Sequence, residues 1–209
     1  MDSRLFALSL GLAVALVASD ARALGPVDVE IAGKVGGATN PLGNGAPNPL
    51  GVGLGGRAGI DLVGFYAGVD VMYYVGGSET LPGPGGASSA LQVSASDHVF
   101  MYGVEAGYNF RILDLVTIRP QMGVGNLTLS YSTSVTGATV GGNSGAVPTS
   151  ESASNLYLEP GVTGLISLGG WFVGADANVL VLPGITEPNA SSTTTDAAFT
   201  AHAEIGIKF

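Results

Sequence analysis

A set of ionisable residues recurs at alternating positions in otherwise apolar runs: Glu30, Lys34, Arg57, Asp61, Asp70, Glu105, Arg119, Glu159, Asp176, His202 and Glu204. Gathered inside a narrow tube, their excess of carboxylates would draw cations in and reject anions, which is the chemistry of a cation-preferring channel. Threaded by Lys34, Arg57 and Arg119, the same carboxylates would form a charge-paired, hydrogen-bonded plug instead. Hydrolysis would need a nucleophile, a base and an orienting group held together. The chain offers two histidines for that role, His98 beside Asp97 in a serine-rich stretch and His202 near Glu204. Serine in such stretches has turn chemistry of its own, and His202 reads as an ion-pair partner for Glu204 or Asp176. No catalytic residue is therefore expected. With no cysteine there is no disulfide framework and no thiolate metal site. No glycine-rich phosphate loop occurs, and neither a cofactor nor a metal is expected.

The elements that would position these groups follow a period of two. Apolar and polar or glycine positions alternate over 27–35, 52–62, 67–75, 100–110, 116–124, 156–166, 171–181 and 199–209, the signature of strands with one apolar face. Each run is long enough for a tilted strand to cross a bilayer. After Val124 the apolar phase slips to Leu127, Leu129 and Tyr131, which suggests a bulge at Gly125-Asn126. Pro120 and Pro160 each remove a ladder hydrogen bond, so local bulges are expected there as well. Short connections alternate with long linkers at about 37–49, 76–97, 132–153 and 183–196, rich in Gly, Ser, Thr, Pro and Asn. Tight turns on one side and long loops on the other require eight strands with both termini on the tight-turn side.

Composition narrows the class further. The 209 residues carry 7 Lys+Arg against 16 Asp+Glu, a net charge of −9, yet only 11% are charged. A soluble domain carries roughly 25%. Mean hydropathy is +0.42 and the isoelectric point is near 4.3. The acidic balance argues against nucleic acid, and loops holding Glu79, Asp97, Glu151, Glu187 and Asp196 without Lys or Arg disfavour anionic partners generally. Residues 1–23 read as a cleavable secretory signal: Arg4, an apolar core from Leu5 to Ala18, then Ala21-Arg22-Ala23. Residues 24–209 would form the mature domain. Its best helical candidate, Val162 to Leu182, is interrupted by Gly164, Gly169, Gly170, Gly174, Asp176 and Asn178. A closed β-barrel is the remaining backbone that satisfies its own hydrogen bonds in lipid.

Aromatic residues bracket the runs. Phe65, Tyr108, Phe110, Trp171 and Phe209 fall near the tight-turn ends, and Tyr73, Phe100, Tyr102, Tyr131 and Phe199 near the long-loop ends. Two such girdles suit rings at the headgroup level of a bilayer. In this layout the chain resembles the small eight-stranded outer-membrane barrels of the OmpA and OmpX type, over essentially all of 24–209. Its last strand, with Phe199, Ala201, Ala203, Ile205, Ile207 and Phe209 on one face, looks like the C-terminal signal read by the outer-membrane assembly machinery. The resemblance implies an all-β, antiparallel up-and-down transmembrane barrel, monomeric, exported to the outer membrane of a Gram-negative-type cell. Its partners would be outer-membrane lipid and, during biogenesis, that machinery. Its role would be structural or surface-interacting, with a narrow cation-preferring channel as the alternative. A lipocalin-like soluble binder is disfavoured, because it would bury about ten charges or expose the aliphatic face.

Overall fold

In a computed structural model, described over residues 27–41, 48–82, 92–112, 115–136, 149–185 and 194–209, the alternating runs become strands. The expected signal segment, 1–23, lies outside the described residues. The elements are β1 (Val27–Ala38), β2 (Val52–Leu62), β3 (Phe65–Pro82), β4 (Gln92–Tyr108), β5 (Phe110–Ile112), β6 (Val116–Thr136), β7 (Thr149–Leu168), β8 (Trp171–Ile185) and β9 (Thr194–Lys208). Every neighbouring pair is antiparallel, β1 pairs with β9, and β4 pairs with β6, so the sheet closes on itself. β4 and β5 are two parts of one strand interrupted at Asn109, whose N–H donates to the Gly64 carbonyl at 2.7 Å. The result is a closed antiparallel barrel of eight strands.

Alternation decides which side chains go where. Val69, Val71, Tyr73 and Val75 of β3 are exposed on the outside, while Tyr66, Asp70, Met72 and Tyr74 between them are buried inside. The same parity holds round the ring, so the outer surface is a belt of Val, Ile, Leu and aromatic side chains.

Three expectations about irregularity are corrected. The register of β6 runs unbroken from Gly107↔Gln121 to Gln92↔Thr136 on one side and from Val116↔Ile166 to Thr133↔Thr149 on the other. No bulge forms at Gly125-Asn126. The apolar phase slips because Leu127 points inward, where it is buried among other apolar side chains. Nor do the prolines shift the register. Opposite Pro120, which has no N–H to offer, the ladder opens between Gly107↔Gln121 and Phe110↔Ile118 and resumes in phase. Beside Pro160 it opens between Leu158↔Val181 and Gly161↔Asn178, again in phase. The register shifts that do occur lie between Val75 and Ser78 and between Leu182 and Ile185.

The long linkers are shorter than composition suggested. Backbone pairing continues through Pro82↔Gln92, Gln92↔Thr136 and Thr133↔Thr149, so much of 76–97 and 132–153 is strand. Hydrogen bonding along a ladder needs no apolar face, and Ser and Thr supply none for periodicity to register.

The tight β2–β3 turn carries backbone strain. Val63 (φ 54°) and Gly64 (φ 90°) both sit in the left-handed region, as a two-residue hairpin turn of the primed type demands. Glycine accepts this freely, but a β-branched residue does not. The turn is held by the Asp61 carboxylate, whose Oδ1 accepts from the Gly64 N–H at 2.7 Å. Val63→Asn, which tolerates the left-handed region, should stabilise the folded barrel by about 1 kcal/mol, read as a higher urea midpoint of the refolded protein.

Candidate functional site

The barrel interior is built in layers. Nearest the tight turns, two guanidinium groups converge on one carboxylate: Arg57 Nη1 lies 2.9 Å and Arg119 Nη2 2.7 Å from Glu30 Oε2. Arg57 also grips Glu204, donating from Nε at 2.7 Å and from Nη2 at 3.2 Å, the two-pronged geometry that makes Arg–carboxylate pairs strong. The Tyr66 ring lies between the two arginines, 3.6 Å from the Arg119 Cζ and 5.3 Å from that of Arg57. Its hydroxyl accepts from Arg57 at 2.9 Å and donates to Glu105 at 2.7 Å. Arg119 is fully buried, with its Nε donating to Asn109 Oδ1 at 2.6 Å; Asn109 in turn donates to Asp61 at 2.7 Å. At the rim, Arg111 bridges Asp61 and Asp28, and Lys208 reaches Asp28 at 2.9 Å.

These contacts follow from strand parity and from glycine. β1, β2, β6 and β9 each point every second residue inward, so Glu30, Arg57, Arg119 and Glu204 meet on the barrel axis. Large rings fit beside them only because the facing positions carry no side chain: a Cβ on Gly59 would stand 2.5 Å from the Tyr66 ring, and one on Gly206 would overlap Phe172.

Above this lies a second charged layer. Lys34 Nζ sits between Asp70 at 3.0 Å and Asp176 at 3.2 Å. Asp176 Oδ1 is 2.6 Å from His202 Nδ1 and accepts from Asn178 at 2.7 Å, and His202 Nε2 is 2.6 Å from the Tyr74 hydroxyl. Glu159, partly exposed, accepts from Thr200 at 2.9 Å. Toward the long hairpins the interior then turns apolar: Leu50, Met72, Val99, Met101, Leu127, Tyr157, Leu180, Leu182 and Ala198 pack together with the Tyr74 ring. Leu50, 1% exposed, enters from the β1–β2 connection, where its N–H donates to the Asn48 side chain, which itself donates to the Ala38 carbonyl.

The structure brings the ionisable residues singled out from sequence into this interior. Glu30, Arg57, Arg119, Glu204 and Glu105 join the first layer and Asp61 its rim; Lys34, Asp70, Asp176 and His202 join the second. His202 pairs with Asp176, while Glu204 is occupied by Arg57. Asp97 and His98 do not come together: they fall on opposite faces of β4, inward and outward. Among the described residues no group of His, Asp and Glu is placed to hold a metal ion.

Of the aromatic positions, Phe65, Tyr73, Phe100, Tyr102, Tyr108, Phe110, Trp171 and Phe199 are exposed on the outer face. Tyr108 packs edge-on against Phe65 and Phe110 at 5.1 and 5.0 Å. Phe209 follows β9, with its N–H and carbonyl both bonded to Val29. Tyr131 is a correction: it pairs with Asp97 and Glu151 on the inward-facing parity of β6, so it does not belong to the outer girdle. The inner groups that charge patterning missed are Tyr66, Tyr74, Asn109, Tyr157, Phe172 and the Leu-Met layer. Tyr66 and Tyr74 had a legible signal, since they share the phase of Asp70 on β3.

The chain matches no family model, and no curated protein is similar to it in sequence. Solved structures do share its shape. A major outer membrane protein from Thermus thermophilus superposes with a TM-score of 0.54 at 14% identity, covering 88% of this chain and 99% of that one. The fold is that of a small outer-membrane barrel. Neisserial surface protein A is similar at a TM-score of 0.45 with 15% identity, covering 88% of this chain and 98% of that one. The attachment invasion locus protein of Yersinia pestis gives 0.42 with 14% identity, covering 88% and 97%.

Deleting one member of the first layer leaves its partners charged and dry. Arg57→Ala should destabilise the barrel by about 3–5 kcal/mol. Adding Glu204→Gln, which removes the stranded charge, should cost less than the two single changes summed, a double-mutant cycle read by urea unfolding.

Proposed function

We propose that the protein is an integral outer-membrane β-barrel with a sealed interior, which acts structurally and through the surface it presents beyond the bilayer. The observation that carries this is inverted amphipathicity. Leu54, Phe65 and Trp171, each at least 60% exposed, stand on the outside, while Arg57, Arg119, Glu30 and Glu204 are buried within. Water would penalise that outer belt, whereas hydrocarbon accepts it. A lipocalin-like binder would need the reverse arrangement. The fold shared with a bacterial outer-membrane protein fits the same reading, as does an exposed aromatic row at either end of the belt.

A sealed interior is favoured over a cation-preferring channel by the layering. Of the inward carboxylates, Glu30 is engaged by Arg57 and Arg119, Glu204 by Arg57, Asp70 and Asp176 by Lys34, and Glu105 and Glu159 by the hydroxyls of Tyr66 and Thr200. Beyond them the apolar layer gives a passing ion nothing to replace its hydration shell.

Expressed with its leader, the protein should partition to the outer-membrane fraction and migrate differently before and after boiling; recovery in the soluble periplasm would overturn the membrane reading. Val69→Arg, on the outer face, should cost about 2–4 kcal/mol and impair assembly. In planar bilayers the refolded protein should be electrically silent. Steady cation-selective openings would overturn the sealed interior and leave the membrane reading standing.

A further inference from the structure

Just beyond the aromatic row formed by Tyr73, Phe100 and Tyr102, the outward face of the barrel changes from apolar to hydroxyl on three adjacent strands. The change is ordered by register. Phe100 of β4 pairs with Thr128 of β6, which pairs with Ser154 of β7; next come His98, Ser130 and Ser152, then Ser96, Ser132 and Ser150. Residues paired across a ladder share a face, so these rows form one outward patch. Spacing along it is about 4.8 Å between strands and about 6.7 Å between rows. Ser96, Ser132, Ser150, Ser152 and Ser154 are exposed, and Thr128 Oγ1 lies 3.0 Å from Ser154 Oγ. The one titratable side chain of these rows is His98, whose ring lies 5.7 Å from that of Tyr73. The acids at the same height, Asp97 and Glu151, alternate with the serines and take the inward parity.

We propose that this outward Ser/Thr face binds the neutral sugar headgroup of a glycolipid in the outer leaflet. The inference rests on the membrane reading above. Continuity supports it: lipids whose tails coat Val69, Val71, Val104 and Val124 would place their headgroups at and beyond the Phe100 row, where the hydroxyls of Thr128 and Ser154 begin. Chemistry supports it as well. Each hydroxyl both donates and accepts, matching the vicinal hydroxyls of a sugar, and the Tyr73–His98 rings offer a stacking surface for its C–H face. A phosphate headgroup would call for Arg or Lys, and none of the described residues in these rows is either.

The test uses the full-length mature protein refolded in phosphatidylcholine vesicles with and without a diglucosyl diacylglycerol, insertion being verified first by heat-dependent migration. Native mass spectrometry should find the glycolipid retained several-fold over phosphatidylcholine. Ser130→Ala combined with Ser132→Ala and Ser152→Ala should fold normally and abolish that preference, while Ser167→Ala, near the opposite end of β7, should retain it. Equal retention of the two lipids would overturn the proposal. So would a preference for phosphatidylglycerol that salt abolishes, or cross-linking between two copies of a Ser132→Cys variant in dilute vesicles. Failure to insert into any vesicle would overturn the membrane reading itself.

Discussion

A closed sheet has no edge at which to relax, and from that the rest of the structure follows. With a side-chain period of two, slipping one strand by one residue would turn Arg57 or Arg119 into the outer belt and a valine into the charged interior. Register is therefore the quantity the sequence must specify, and it does so twice over. On the outside, each strand offers an apolar set that only one parity can expose. On the inside, Arg57 of β2 reaches Glu204 of β9 and Glu30 of β1, and Arg119 of β6 reaches the same Glu30 across the barrel. Strands that are not neighbours are tied to one another, so an error in any one of them strands a charge.

Buried ion pairs recover little net energy, since the desolvation of each charge offsets most of their attraction. Their value here lies in what they exclude. Glu30 bridges two arginines, with Glu204 supplying the second negative charge, and Tyr66 occupies the space between them, lending its ring face to both cations and its hydroxyl to Arg57 and Glu105. The glycines opposite belong to the same arrangement, because Tyr66 and Phe172 could not reach the axis past a facing side chain. A residue type that weakens an ordinary strand is thus what admits the large groups that fill this one.

Much of this was legible in the sequence because two solvents and one period sort the residues without ambiguity. Charges in the phase opposite to Val, Ile and aromatic residues had to face inward, and Glu30, Arg57, Asp70 and Glu204 do. Which charge meets which was not legible: Arg57 pairs in the ladder with Asp70 yet extends to Glu30 and Glu204, a choice made by side-chain length and by Tyr66. Periodicity misled where the interior itself became apolar. Leu127 kept its inward parity and looked like a slipped strand, because the contrast between faces, and not the backbone, had reversed. Composition misled at 78–82, 92–97, 132–136 and 149–153, where backbone rich in Ser and Thr pairs like any other. Asn109 is the reverse case, a residue inside an alternating run whose strand breaks because Pro120 across the ladder offers no N–H.

The order of the interior layers bears on where activity can reside. An ion approaching from the long-hairpin side must pass Leu50, Leu180, Val99 and Met101 before it reaches the Lys34–Asp70–Asp176 layer, and there it must shed water with nothing to replace it. One approaching from the tight-turn side meets Asp28, Arg111 and Lys208 already paired, then the guanidinium groups of Arg57 and Arg119, which are paired with Glu30 and Glu204. On the sealed-interior reading proposed above, the lumen serves to hold the strands. What varies along the molecule without being needed for closure is the outer face beyond the aromatic row, where apolar residues give way to ordered hydroxyls on a sheet whose pairing continues well past the belt.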